Sequence, residues 1–367
     1  MKTELSSEAR VAIVGAGMAG ARCGARLREA GMAVWVVDKA RGPGGRLATR
    51  RARFVDAQGE ERAVAWDHGC PGIEAQDARL QAWLHTQAAL GRATLWQPQP
   101  GPNEGPATAP PPARWRGTAS QPSLCHALLE GAATQWQTTV QALRRDGAAW
   151  WLDTNGTSLG PFSAVVLALP PAQAAPLLAP HRLDWARAAA LVPMQPCWTW
   201  MGVSQAQAAW GDGDWWAPAD GPLELVVRQT HRLDGPSAQG LDAWVAHARP
   251  GWSREQLESP PEAVAEALQA AVARVLGHPV VWQHSLVHRW RYAQPVLPPA
   301  ERWGGARWDA HARLGQCGDF LAGHGVDAAW RSGEAVAERI VSQALEPLPP
   351  SGRAAGARTE RAPLRTP

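Results

Sequence analysis

The stretch RVAIVGAGMAG, residues 10–20, constrains the chain more than any other. A short β-branched run enters three glycines spaced G-x-G-x-x-G, and MAGARCGARLREAG then carries helical spacing that stops at Gly31. MAVWVVDK follows as a second strand and places Asp38 at its end, about twenty residues beyond the glycines. Strand, glycine turn, helix and strand make the first βαβ unit of a doubly wound sheet. The physical roles are distinct. Gly15 allows a tight turn, Gly17 lets backbone approach a pyrophosphate, and Gly20 lets helix and strand pack closely. The helix start at Ala16, Met18 and Ala19 offers free N–H groups to an anion.

An acid at position 38 accepts hydrogen bonds from ribose hydroxyls and repels a 2′-phosphate, which disfavours NADP and leaves FAD or NAD. The continuation decides between them. After Asp38 and Lys39 the chain reads ARGPGGR, which expects extra backbone N–H groups from Gly44 and Gly45 and a guanidinium, Arg46, suited to phosphate. A nicotinamide enzyme would run from this strand into an ordinary loop. A second glycine-rich element lies near the other end, CGD at 317–319 followed by GVDAAWRSG. It adds Gly318, Asp319, Gly325, Val326 and Ala329 to the residues expected around the same cofactor.

Between these ends the texture changes. RLQAWLHTQAALG reads as a helix, and residues 97–114 are rich in Pro and Gly without periodicity, as a mobile surface insertion would be. A helix near PSLCHALLEGA leads to three strand-like runs, of which FSAVVLALP is wholly apolar and therefore central in a sheet. From 172 to 310 short strands surround one strong helix, PPEAVAEALQAAVARVLG, as in a mixed α+β unit. The expected fold is thus α/β, a doubly wound, Rossmann-like FAD-binding domain with a second, mixed-sheet α+β substrate domain. Residues 9–75, 115–171 and 311–346 are assigned to the first, 76–96 and 172–310 to the second, and 347–367 to a disordered tail.

Composition removes several classes of function. A net charge of +3 over 367 residues, with arginines scattered among acids, gives no basic face for nucleic acid. Arg353, Arg358, Arg361 and Arg365 in the tail read as solvated charge. Five widely spaced cysteines without metal or Cys-x-x-Cys spacing suit a reducing compartment. With neither a signal-peptide pattern nor an apolar run of about 20 residues, a cytoplasmic protein without membrane insertion is expected.

The R-G-P-G-G-R stretch resembles the R-x-G-G-R element of the flavin amine oxidase superfamily, with one extra residue between Arg41 and Arg46. Within it the chain is similar to bacterial renalase-like flavoproteins, through VAIVGAGMAGA, DKARGPGGRLATRR, DHG at 67–69, VVLALPPAQA, WVAHARPGWS, HRWRYA and CGD…AWRSG. The resemblance implies non-covalent FAD, also touched by Gly69, Cys70 and Pro71. It further implies oxidation of a dihydropyridine nucleotide, an isomeric NAD(P)H, with dioxygen as acceptor and hydrogen peroxide as product. The chain departs from that family at DHGCPGI: Cys70, Pro71 and Gly72 stand where an amide and an aromatic residue commonly line the flavin.

Hydride transfer from such a donor needs no strong base, since aromatisation drives it and the protein must hold two faces together. Aromatic walls are therefore sought. His288, Trp290 and Tyr292 alternate along one strand and are expected on one face toward the flavin, with His247 as a further candidate. His68 is expected near the cofactor without a chemical role, and Cys317 as a small packing residue rather than a covalent link. Two other readings stand: an amine oxidase or desaturase acting on another small substrate, and a non-catalytic flavin-fold binding protein. The only lysines, Lys2 and Lys39, disfavour an amine-oxidase mechanism that needs a lysine by the flavin.

Overall fold

The computed structural model describes residues 9–102, 111–233, 240–296 and 304–343. The strand Arg10–Val14 pairs in parallel with Ala33–Val37, and the helix Met18–Glu29 connects them, as the βαβ reading requires. Ala164–Leu167 pairs with the other side of the first strand and is buried at every residue, which fits a parallel strand covered on both faces. Leu314–Gln316 and Arg307–Asp309 extend that edge, and Ala133–Gln135 closes the opposite one.

Alternation along these strands divides the core in two. Val11, Ile13, Val36 and Val166 point toward the helices Met18–Glu29, Pro122–Leu129 and Gly325–Val341. Ala12, Val14, Val165 and Leu167 point the other way, onto a three-stranded antiparallel sheet, residues 140–162, and the helices Pro171–Leu178 and Leu183–Ala190. The six-stranded sheet is thus the middle layer of three.

The helix Ala78–Ala89 is N-capped by Asp77, whose carboxylate accepts from the Arg79 and Leu80 amides. It buries Leu80 and Leu84 in the six-stranded core, whereas the sequence division placed 76–96 with the second domain. Arg307–Asp309 likewise joins the six-stranded sheet, a few residues earlier than the boundary read at 311. In both cases the apolar pattern defines a buried face without saying which sheet covers it. In the stretch read as an insertion, the described flanks are tied down: the Gln99 amide donates to Asp214 and the Gly101 amide to the Trp215 carbonyl. Residues 103–110 and the tail from 347 lie outside the described residues.

The second unit is a five-stranded antiparallel sheet. In spatial order its strands are Trp215–Trp216, Leu223–Arg228, Leu241–Ala248, Met194–Gln205 and Trp282–Pro295. One face carries Trp198, Trp200 and Trp244 and is covered by the helix Pro261–Leu276 through Val264, Leu268 and Val272. The other face carries Met201, Val203, Ala243 and Val245, under Phe54, Val64 and Trp66 of the hairpin Arg50–Val55 and Glu61–Trp66. That hairpin leaves the glycine–arginine stretch and returns to it, so it carries the flavin elements onto the second sheet.

Candidate active site

The three glycines of the first turn have the geometry that their roles demand. Gly15 has φ +106°, and a Cβ there would lie 2.4 Å from the Ala168 carbonyl oxygen. A Cβ on Gly20 would meet the Gly15 oxygen at 2.0 Å, so the first helical turn can sit on the strand only if this residue is glycine. Gly17 is different: a Cβ there would have only the Gly45 Cα near it, at 4.0 Å, so a methyl would fill the space between the two glycine turns.

Asp38 is oriented by two backbone donors, Ala16 N at 2.7 Å and Ala40 N at 2.8 Å. Its carboxylate keeps further lone pairs for hydroxyl donors. The N-cap positions of the first and last helices, Gly17 and His324, make no side-chain capping bond, which leaves both sets of terminal N–H groups to an anion. Asp327, in the first turn of the last helix, accepts from the Gln76 and Asp77 amides instead.

The two glycine-rich ends meet. Arg46 binds Asp319 with both arms, Nη1 at 2.7 Å and Nη2 at 2.6 Å, and Nη1 also donates to the Ala293 carbonyl at 2.9 Å. Burial alone would lower the guanidinium pKa, but the charge and hydrogen bonds of Asp319, itself 1% exposed, raise it. Two expectations change accordingly. The Arg46 fork is engaged by a carboxylate, leaving two of its five N–H donors, at Nε and Nη2, for a phosphate. The Gly44 N–H is also spent, on the Ala16 carbonyl at 2.9 Å, so Gly44 braces the two turns against each other rather than presenting a free donor. The free backbone, the open space at Gly17, the held acid and the spare guanidinium donors fit a dinucleotide.

Other expected cofactor residues are placed as follows. The Lys39 amine reaches the Gln173 side chain at the surface. Gly318 donates its amide to Ser332 Oγ. Gly325 opens the last helix with φ +76°, and Val326 packs beside the first core. Ala329 is buried in that core, and as the fifth residue of its helix it has no free N–H to offer. Cys70 donates its thiol to the Gly72 carbonyl, and burial pushes its pKa up to about 11. The Pro71 carbonyl accepts from Arg116 Nε.

Gly69 sits hard against the arginine: a Cβ there would lie 2.1 Å from the Arg46 carbonyl oxygen and 3.3 Å from the Trp290 ring. Around it the rings converge. His68 stacks on Trp290 at 5.0 Å between centroids and meets His288 edge-on at 4.9 Å, while His288 and Trp290 are 4.4 Å apart. The sheet register explains the grouping. His247, Thr199 and His288 lie in one cross-strand row, and Cys197 faces Trp290 in the next. His247 Nε2 lies 3.0 Å from the His68 carbonyl, to which it donates. Arg46, Gly69, Gln195, Thr199, His247 and Trp290 surround a cavity of about 100 Å³, with Glu224 also at its wall.

His288, Trp290 and His247 are therefore brought together; Tyr292 is half-buried and takes no part in the described ring contacts. His68 departs most from expectation, since it is the hub of the cluster. Burial first, then the adjacent His288 and His247, push its pKa down to about 3, against an opposing contact with the Trp66 backbone. His247 and His288 are lowered by burial as well, and Arg50 adds to the effect at His288. His247 and Trp290 thus line the cavity, with His68 and His288 packed against Trp290 behind them.

Sequence reasoning missed Thr199, Asp67 and Arg232. Thr199 had a signal, as the one polar residue inside CWTWMGV. Asp67 was visible only as part of DHG, and its ion pair with Arg232 spans 165 residues. Among the described residues no group of three His, Cys, Asp or Glu is arranged to hold a metal, and no helix is long and apolar enough to cross a membrane.

Known proteins resemble both units of the fold. Residues 13–84 match an NAD(P)-binding Rossmann-like domain. A curated relative, the tRNA 5-methylaminomethyl-2-thiouridine biosynthesis bifunctional protein MnmC of Magnetococcus marinus, is 30% identical over 206 residues. The match covers 47% of this chain and 31% of the relative, so the chain spans about a third of that protein's length. Among solved structures, reduced UDP-galactopyranose mutase superposes with a TM-score of 0.64 at 11% identity, covering 94% of this chain and 96% of the other. Cyclohexylamine oxidase from Brevibacterium oxydans IH-35A gives 0.59 at 12%, covering 92% and 99%. At those identities the likeness is one of fold. Residues 115–341, more than half of the chain, match the flavin-containing amine oxidoreductase family, and the chain belongs to that family as an FAD-dependent oxidoreductase.

Proposed function

We propose that the chain is a renalase-like oxidase, which takes a hydride from a dihydronicotinamide-type donor, an isomer of NAD(P)H. The observation that carries this reading is the ring cluster beside the cavity, of which Trp290 reaches the lining. His68, His288 and Trp290 form a contiguous ring surface, and the imidazoles are kept uncharged by burial. Such a surface positions a flat donor and removes water from it, which suffices where aromatisation supplies the driving force.

No strong base is required, and the one lysine among the described residues, Lys39, lies at the surface on Gln173. When bound, FAD would supply a two-electron sink for the hydride of the dihydropyridine ring, with dioxygen and one added proton as the route by which the electron pair leaves as hydrogen peroxide. Arg46, Asp38 and the free helix ends hold the cofactor, while Gly69 lets the loop lie against Arg46. The cofactor is held without a covalent bond. Cys317 is fully buried with its pKa pushed up to about 12, and Cys70 is kept as a thiol, so neither offers a thiolate.

Anaerobic titration of the purified holoprotein with partly isomerised NADH is the test. Bleaching of the flavin band faster than with pure NADH is expected; equal, slow bleaching by both overturns the reading. A second reading rests on Glu224 at the cavity wall and on the MnmC relative: oxidation of a cationic secondary amine. It is favoured if an N-methylamine bleaches the band and isomerised NADH does not.

A further inference from the structure

Asp67 is wholly buried and Arg232 is 5% exposed, yet they lie on different units of the fold. Arg232 closes the short 3-10 turn Thr230–Arg232 between two strands of the five-stranded sheet; Asp67 begins the loop that carries His68 and Gly69. The guanidinium donates from Nε to Asp67 Oδ2 at 2.8 Å, and its Nη2 lies 2.7 Å from the same oxygen. Its other donors reach the Thr118 and Gly117 carbonyls at 2.8 and 2.7 Å. The second carboxylate oxygen accepts from Thr49 Oγ1 at 2.6 Å and from the Gln121 amide at 3.3 Å. Gln229 completes the set, accepting from the Asp67 amide at 2.9 Å.

Three chain segments, at Thr49, Gln121 and Gln229–Arg232, thus end on one residue. A buried pair of this kind adds little net stability over an apolar pair of similar volume, because both charges lose their hydration. Its geometric effect is larger. The guanidinium on Oδ2 and the two donors on Oδ1 fix the direction of Asp67, and the next two residues have little freedom of their own: Gly69 is wedged against the Arg46 carbonyl, and His68 is stacked in the ring cluster.

We infer that Arg232 is a positioning residue: through Asp67 it fixes His68 and Gly69 against the flavin-binding elements and sets the register of the substrate sheet over them. The inference rests on the flavin site and not on the identity of the donor. It concerns placement, so a change of about 1 Å in the loop is the quantity at stake, and displacements of that size cost about a hundredfold in rate.

The test compares the holoprotein with a double variant, Asp67→Leu with Arg232→Met, which removes both charges together. The double variant is expected to unfold at a lower urea concentration than wild type, because the Gly117 and Thr118 carbonyls lose their donor, to show an altered circular dichroism in the visible flavin bands, and to reduce its flavin about a hundredfold more slowly with whichever donor bleaches wild type. The visible dichroism is independent of the donor, so failure of the dihydronicotinamide reading leaves this readout intact. Wild-type dichroism and reduction rate in a folded double variant overturn the inference. Should the double variant not fold, Arg232→Lys takes its place, since a compact ammonium lacks the planar spread with which the guanidinium reaches the carboxylate and both carbonyls. Altered flavin dichroism is expected there too, and an unchanged spectrum and rate overturn the inference.

Discussion

Lowering the pH should expose the cost of keeping His68 neutral. In the unfolded chain a histidine takes up its proton near pH 6.5. In the folded protein His68 does so only near 3, because the ring is buried and flanked by His288 and His247. The sign follows from proton counts. Below pH 6.5 the unfolded chain binds a proton that the native state refuses, so stability contributed above 6.5 is lost as the pH falls toward 3. Between pH 7 and pH 5 the loss is about 2 kcal/mol from this residue.

His68→Asn removes the titrating group and keeps a polar side chain of similar reach. Urea unfolding of both proteins at pH 7 and pH 5, followed by tryptophan fluorescence with FAD in excess, measures the effect. The wild type should lose about 2 kcal/mol more than the variant over this interval. His247 and His288, also lowered by burial, remain in both proteins and largely cancel in the comparison. Equal pH dependence in the two proteins would refute the neutral, buried state of His68.

Gly69→Ala should abolish flavin binding or lower the unfolding midpoint sharply, since its methyl would sit 2.1 Å from the Arg46 carbonyl; the flavin absorbance of the purified variant reports this. Arg46→Ala leaves Asp319 buried without its partner and should cost about 3–5 kcal/mol in urea unfolding, whereas Arg46→Lys should recover part of it. Asp38→Ala should raise the Kd for FAD about tenfold by removing both the ribose acceptor and the anchor of the Ala16 amide, as measured by flavin fluorescence quenching. Acid or heat should release all of the flavin from wild type into the supernatant; yellow colour retained in the protein pellet would contradict the buried thiol state of Cys317 and Cys70.

The local sequence alone determined the dinucleotide half of the protein. Glycine spacing, a β-branched strand on each side and an acid at the second strand's end are short-range features, and backbone sterics allow them few other arrangements. The wholly buried strand Ala164–Leu167 was legible for a similar reason, as an apolar run too short for a helix. Alternation placed His288 and Trp290 on one face, because side chains along a strand repeat every two residues.

What the tertiary structure decided concerns partners distant along the chain. That Arg46 grips Asp319, 273 residues away, depends on how two glycine turns stack, and nothing local encodes it. The same holds for Asp67 and Arg232, and for the side taken by the helix Ala78–Ala89, whose apolar stripe would suit either sheet. His68 became the centre of the ring cluster only once the hairpin of residues 50–66 had laid its loop across the end of the five-stranded sheet. Its charge state followed from that burial, because desolvation is a property of the assembled surroundings and not of the residue.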